Sequence, residues 1–503
     1  MRELGIFTDG TICAPATIPG TGAISIIRVS GEDSLAIADK VIDVKGESLS
    51  ETEGYRLRYG TIFADDGSVL DNVIVSVFRA PHSYTGENSV EISCHASRFI
   101  VNAVLELLVN AGARIAAPGE FTRRAFVNGK MDLAQAEAVA DVIASQSAAA
   151  HRVAMNQLKG GFSSELKTLR EKLLTMTSLL ELELDFSEED VEFASRSELG
   201  ALVEETLTHI VRLTDSFSRG NAIKNGVPVA IVGATNTGKS TLLNALLGEE
   251  RAIVSDIAGT TRDTIEETLN LGGVTFRFID TAGIRETDEV VEKIGIERTF
   301  RKLNEASIVL GMTDLSRGED TVLSDAEYIW DKVNASSSDR EFVLLVNKCD
   351  VNGIESVEAG SKAGYEVGYA GVGSGAGYAD KAGKMARIEA ALREKGIVTK
   401  MIPISAKTGS GLPELTETLA EIGRRITGDT DETLVTNIRH YEALSRAATA
   451  LGRVRDGLKV ATLPPDLIAQ DLREALYHLG EIVGEISTDE VLGNIFRNFC
   501  IGK

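Results

Sequence analysis

The chain has 503 residues, 43% hydrophobic and 25% charged, with a formal net charge of −23. That length exceeds what one hydrophobic core sustains and predicts several domains. The acidic balance excludes broad, nonspecific attraction to a phosphate backbone, so any RNA contact falls on a local basic patch.

No run of about 18 apolar residues occurs, and the opening residues lack the apolar stretch of a signal peptide. A cytoplasmic protein without membrane contact is therefore expected. The four cysteines, Cys13, Cys94, Cys349 and Cys500, show no C-x-x-C spacing, which argues against a zinc site or a disulfide framework.

Residues 1–132 alternate β-rich runs with turn signals. Ala23 to Val29 and Val73 to Phe78 read as strands, and Ile100, Val104, Leu105 and Leu108 recur at helical spacing, so an α+β domain is predicted. From Leu133 the composition turns to Ala, Glu, Gln and Leu with few breakers, predicting long amphipathic helices over 133–225. A similar composition returns over 429–503, where Ile468, Leu472, Ala475, Leu476, Leu479, Ile482, Val483 and Ile486 trace one helical face. The reading is one helical domain split in sequence; two unrelated helical segments are the plainer alternative.

Between them, 226–428 carries the signature of a nucleotide-binding G domain. The apolar run Val229 to Val232 leads into Gly233-Ala-Thr-Asn-Thr-Gly238-Lys239-Ser240, which fits G-x-x-x-x-G-K-[ST] at every fixed position. Gly233 and Gly238 let backbone N–H groups curl toward phosphates, Lys239 reaches the β and γ oxygens, and the Ser240 hydroxyl holds Mg²⁺. A helix follows with Leu242, Leu243, Leu246 and Leu247 on its buried side, its positive end aimed at the same anions.

Downstream, the strand-like run Val274 to Ile279 follows the hairpin signal Gly272-Gly273 and ends in Asp280, Thr281, Ala282 and Gly283. Asp280 positions Mg²⁺ through its water shell and the Gly283 N–H meets the γ-phosphate. Phe342 to Val346 delivers Asn347, Lys348, Cys349 and Asp350, whose carboxylate accepts from the N1 and N2 donors of guanine, a pattern adenine lacks. Ser405, Ala406 and Lys407, after Met401 to Ile404, complete the base pocket. Where Ras-like enzymes place a water-orienting glutamine after the glycine, this chain has Ile284; Arg262 and Arg285 lie in the switch regions and can act on transition-state charge. Residues 351–380 carry eight glycines and read as a flexible surface insertion or, less simply, a functional loop.

Outside these motifs stand Gly22-Ala-Ile-Ser-Ile-Ile-Arg28, Ser83-Tyr-Thr-Gly-Glu87, Pro118-Gly-Glu-Phe-Thr122, the run from Asn128 to Ala138, and Phe499-Cys-Ile-Gly-Lys503. With them the chain, from Asp9 onward, resembles the MnmE (TrmE) family of tRNA-modification GTPases. The resemblance implies a multidomain α/β protein: an N-terminal α+β tetrahydrofolate-binding and dimerisation domain, a helical domain split in sequence, and an inserted Ras-like P-loop G domain. It implies a homodimer that, with the FAD-containing partner MnmG, modifies the C5 position of the wobble uridine (U34) of certain tRNAs, using 5-formyl- or 5,10-methylene-tetrahydrofolate as one-carbon donor.

By the same resemblance Arg28, Glu91, Lys130 and Lys503 form the folate pocket, and Cys500 beside it is either a nucleophile toward uridine C5 or an incidental thiol. GTP is bracketed by Asn236, Thr237, Gly238, Lys239, Ser240 and Thr241 and by Ser255, Asp256, Ile257, Ala258, Gly259, Thr260 and Thr261. Mg²⁺ falls to Ser240 and Thr261. A K⁺ ion falls to Asn236, Ser255, Ile257 and Thr260, in the place of an arginine finger, and Glu292 matches the water-orienting carboxylate. The chain departs from the family's usual pattern at Thr235 and Thr237, which flank Asn236, and at Thr21. A rival reading, a ribosome-assembly GTPase of the Era type, expects a basic RNA-binding module where these flanking segments are acidic and helical.

Overall fold

The structure is a computed structural model that describes residues 10–185, 195–251, 267–279, 305–334, 340–350, 376–397, 399–428, 432–459, 464–486, 492–493, 495–496, 499 and 502. The chain divides into two compact units: Met1–Ala144, Ala154–Thr214 and Ile438–Lys503 in one, Ser145–Val153 and Asp215–Asn437 in the other.

The first unit holds a seven-stranded sheet built from β1 (Ile12–Pro15), β2 (Ile24–Ser30), β3 (Ile42–Val44), β4 (Arg56–Phe63), β5 (Val69–Phe78), β6 (Ser89–His95) and β7 (Arg114–Ile115), in the order β3-β4-β5-β6-β2-β1-β7. Alternation fixes which face is covered. Val73, Val75 and Val77 of β5 point into the core with Val90 and Ile92 of β6 and Ile27 and Val29 of β2, beneath Val104 and Leu108 of the helix Arg98–Asn110. The residues between them face the other side, where Leu57, Tyr59 and Ile74 are exposed.

The same unit contains long helices at Gly161–Asp185, Ile438–Leu458 and Pro465–Val483. The apolar stripe read from Ile468 to Val483 is buried throughout, and its helix packs against both of the others, bringing together segments from either side of residues 226–428. Ile486 lies just past the helix, its side chain against Gly480.

A buried ion network ties the segments. Arg439 donates to Glu137 Oε1 from Nε (2.9 Å) and to Oε2 from a terminal nitrogen (3.1 Å) and to the carbonyls of Glu481 and Ile482, while His440 Nε2 lies 2.7 Å from the same Oε2. Burial opposes ionisation of Glu137, but His440 and Arg439 outweigh it and hold its pKa down to about 2 from an ordinary 4.5. The folded pKa lies below the unfolded one, so ionised Glu137 contributes about 3 kcal/mol that is complete above pH 4.5 and lost as pH falls toward 2. Glu137→Gln is expected to flatten that acid limb and to destabilise the neutral protein by about 3 kcal/mol, since Arg439 is left with a weaker partner. Acid unfolding followed by circular dichroism measures both; an unchanged acid limb sinks the assignment.

The second unit is built on a six-stranded sheet of β8 (Val227–Gly233), β9 (Glu267–Leu271), β10 (Val274–Ile279), β11 (Ile308–Asp314), β12 (Glu341–Asn347) and β13 (Lys400–Pro403), ordered β13-β12-β11-β8-β10-β9. All pairings are parallel except β9 with β10, the hairpin turned by Gly272 and Gly273. Both faces are covered, so β8, β11 and β12 are near-continuous apolar runs, as parallel strands require. Leu242, Leu243 and Leu246 of the helix Lys239–Arg251 and Leu412, Leu415 and Leu419 of the helix Leu412–Thr427 lie in one core cluster; Val322, Ala326 and Ile329, with Ile388 and Leu392, lie in the other.

The glycine-rich stretch differs from expectation at its far end. Ala376 to Asp380 open the helix Ala376–Glu394, while 351–375 lie outside the described residues. Gly377 and Gly383 each cost this helix about 1 kcal/mol, and the buried Ile388 and Leu392 offset that by packing.

Candidate nucleotide site and its companions

Parallel strands deliver their following loops to one edge of the sheet, and the nucleotide motifs sit there: the P-loop after β8, Asn347 to Asp350 from the end of β12, and Ser405 to Lys407 after β13. The P-loop glycines are forced by close approach. A Cβ on Gly233 would lie 2.2 Å from the Met312 carbonyl oxygen of β11, and one on Gly238, at φ +100°, would lie 2.4 Å from the Asn347 amide nitrogen. Asn236, at φ +60°, is a non-glycine residue in the left-handed region, which costs about 1 kcal/mol. It is exposed. Thr237 is fully buried and donates its hydroxyl to the Ala234 carbonyl at 2.9 Å, so this departure from the usual family residue is paired inside the loop.

The helix starts at Lys239, placing Ser240 and Thr241 in its first turn. Lys239 Nζ donates to the carbonyls of Gly233 (2.9 Å) and Ala234 (2.8 Å), and burial lowers its pKa.

At the base end Asn347, 3% exposed, is a cross-tie. Its amide donates to the Thr237 carbonyl of the P-loop at 2.7 Å, and its side-chain oxygen accepts from the Ala406 N–H at 3.0 Å. The Cys349 N–H reaches the Ile404 carbonyl at 3.2 Å, and Ser405 Oγ accepts from Thr408 N–H at 3.2 Å. Three motifs far apart in sequence are thereby locked into one frame, with Asp350 half-buried and Lys407 exposed on it. Sequence reasoning passed over one member. Asp314 ends β11, directly opposite Asn347 in the pairing, and its carboxylate receives Lys348 Nζ at 2.6 Å. The signal was available as an apolar run, Ile308 to Met312, closed by Asp-Leu-Ser, which is an Asx-turn pattern.

Ser255, Asp256, Ile257, Ala258, Gly259, Thr260, Thr261, Arg262, Asp280, Thr281, Ala282, Gly283, Arg285 and Glu292 lie outside the described residues, as do Cys500 and Lys503.

In the first unit Arg28 and Glu91 are cross-strand neighbours on β2 and β6 and form an ion pair at 2.8 Å, with the guanidinium 5.1 Å from the Tyr84 ring centre and 5.6 Å from that of Phe121. Lys130 Nζ donates to the Pro81 carbonyl at 3.0 Å. The short motifs of this unit hold one another. Tyr84 and Thr122 hydroxyls bond at 2.8 Å, Glu87 receives the buried Arg124, Asn128 donates to the Thr85 carbonyl, and Gly119 admits Phe496 and Phe499 where a Cβ would lie 2.7 Å from the Phe496 carbonyl oxygen. Gly502, in turn, abuts the Pro15 carbonyl at the end of β1.

Comparison with known proteins agrees with this layout. A protein-family model described as "GTP-binding protein TrmE N-terminus" matches residues 11–130, and one described as "MnmE helical domain" matches 133–500. The chain is 50% identical to the tRNA modification GTPase MnmE of Parabacteroides distasonis over 98% of its own length and 100% of the relative's. It is 50% identical to that of Bacteroides fragilis over 98% and 99%, and 47% identical to that of Porphyromonas gingivalis over the whole of both.

Proposed function

The chain belongs to the MnmE (TrmE) family of tRNA modification GTPases, and from that premise we propose that it is a K⁺-stimulated GTPase whose hydrolysis of GTP to GDP serves modification of tRNA wobble uridine. The observation that carries the reading is the Asn347 cross-tie, which joins the P-loop to the guanine-reading turn in one rigid frame. GTP then rests with its phosphates along Gly233 to Thr241 and its base at Asp350 and Ser405.

Ser240 and Thr261 hold Mg²⁺. The exposed amide of Asn236 is a donor of the kind K⁺ takes, and Asn236, Ser255, Ile257 and Thr260 hold an ion whose charge offsets that building on the phosphates. Glu292 orients water. In the first unit Arg28 and Glu91, beside the Tyr84 and Phe121 rings, offer a cation, an acceptor and flat apolar faces suited to a tetrahydrofolate; Lys130 and Lys503 attract its glutamate tail. The bound folate supplies the one-carbon unit for C5 of the uridine, with an FAD-containing partner of the MnmG type. The protein acts as a cytoplasmic homodimer; among the described residues no helix is long and apolar enough to cross a membrane.

GTP hydrolysis measured in KCl and in NaCl of equal ionic strength tests the nucleotide half, with a faster rate expected in K⁺. Equal rates remove the potassium assignment. Calorimetric titration with 5-formyltetrahydrofolate tests the other half, where saturable binding lost in Arg28→Ala is the expected result and an absence of binding refutes the pocket.

A further inference from the structure

The ion pair Asp314–Lys348 joins the base-reading run Asn347 to Asp350 to a residue, Asp314, that belongs to none of the phosphate- or base-reading motifs. Asp314 is 4% exposed, and its carboxylate is filled by three donors: Ser316 N–H at 2.9 Å and Ser316 hydroxyl at 2.6 Å on one oxygen, Lys348 Nζ at 2.6 Å on the other. Lys348, the second residue of Asn347 to Asp350, sits at φ +62°, a conformation L side chains avoid. A turn in that state persists only when its surroundings over-determine it. Asn347 is fixed by its bonds to Thr237 and Ala406, and Cys349 by the Ile404 carbonyl. Lys348 is the remaining link, and a lysine free in solvent would carry about 2 kcal/mol of rotamer entropy into any bound state.

We propose that Asp314 is a positioning residue for guanine nucleotide: by holding the Lys348 ammonium it keeps the Asn347-to-Asp350 turn in the form that receives the base. The proposal rests on the GTP-binding reading above. Asp314 touches no nucleotide itself; it acts by removing beforehand the disorder that binding would otherwise have to remove.

Displacement of N-methylanthraniloyl-GDP from the full chain, followed by stopped-flow fluorescence, tests it. Asp314→Asn keeps an acceptor for Ser316 and deletes only the charge that Lys348 meets. It is expected to release the probe about tenfold faster, the scale of one hydrogen bond to a charged group. At saturating GTP kcat stays near wild type while KM rises, a split that a general loss of folded protein does not give. Lys348→Met, which leaves Asp314 and its turn intact, is expected to speed release similarly, and the double variant no further than Lys348→Met alone. Ser316→Ala, which weakens the turn but keeps the ion pair, is expected to leave release unchanged.

Wild-type release from Asp314→Asn, or effects of the two substitutions that multiply, overturns the proposal. Wild-type protein that fails to bind the probe overturns the GTP-binding reading itself.

Discussion

Lys239→Ala is expected to lower GTP hydrolysis by about a thousandfold or more, the scale seen when a positioned cation is taken from a developing phosphate charge. An ammonium has three hydrogens, and two of them already go to the carbonyls of Gly233 and Ala234. Those bonds hold Nζ over its own loop with one hydrogen left for a phosphate oxygen. Because burial lowers its pKa, the charge is only partly compensated by these neutral acceptors, and an incoming anion repays the desolvation. The substitution is therefore expected to leave the nucleotide-free fold within about 1 kcal/mol of wild type, two modest hydrogen bonds being traded for relief of a desolvated charge. Phosphate release under single-turnover conditions, beside a thermal melt without nucleotide, measures both sides. Hydrolysis within tenfold of wild type contradicts the assigned role.

Asp350→Asn is expected to invert base choice. In the proposed reading the carboxylate accepts from two guanine donors, and losing a pair of charge-assisted hydrogen bonds costs several kcal/mol, so GTP affinity should fall about a hundredfold or more. Xanthine carries a carbonyl where guanine has its amine, and an asparagine amide donates to it while still accepting from N1–H. Hydrolysis of XTP should then exceed that of GTP. The Asn347, Ala406 and Thr237 bonds do not involve Asp350, so the frame survives the substitution. Competition between the two triphosphates decides it; equal weakening of both means that Asp350 supports the turn rather than reading the base.

The placement of both residues just past a strand end was legible in the sequence, because each motif keeps a fixed spacing from the apolar run before it. So were β8, β10 and β12, each announced by the motif it delivers, and the helical face from Ile468 to Val483, whose period shows without reference to other segments. β11 carries no motif and was missed, although it lies beside β8 at the centre of the sheet, and Asp314 was missed with it. Its importance comes from what lies opposite in space, Asn347 and Lys348, a relation that no local pattern encodes.

The motifs that carried the family resemblance teach the converse. Ser83 to Glu87, Pro118 to Thr122 and the run from Asn128 were recognisable as strings, yet the physical reason for them is mutual: Tyr84 needs Thr122, Glu87 needs Arg124, and Asn128 needs Thr85. The start of the helix Ala376–Glu394 was hidden because glycine content outweighs, in any local reading, the two apolar anchors that stabilise the helix further along.

The bond between Arg439 and Glu137 spans 302 residues. At ribosomal rates of about 5–20 residues per second, roughly 15–60 seconds separate the synthesis of the two partners. Through that interval the carboxylate of Glu137 and the apolar side of its helix, Leu133–Ala144, must wait for Ile438–Leu458 and Pro465–Val483, while the nucleotide unit, all of whose chain lies between, is made and can fold. The order of completion is thus inverted with respect to the order of synthesis: the unit begun first closes last. Nascent chains stalled before residue 438 should bind guanine nucleotide while leaving the first unit open to proteases.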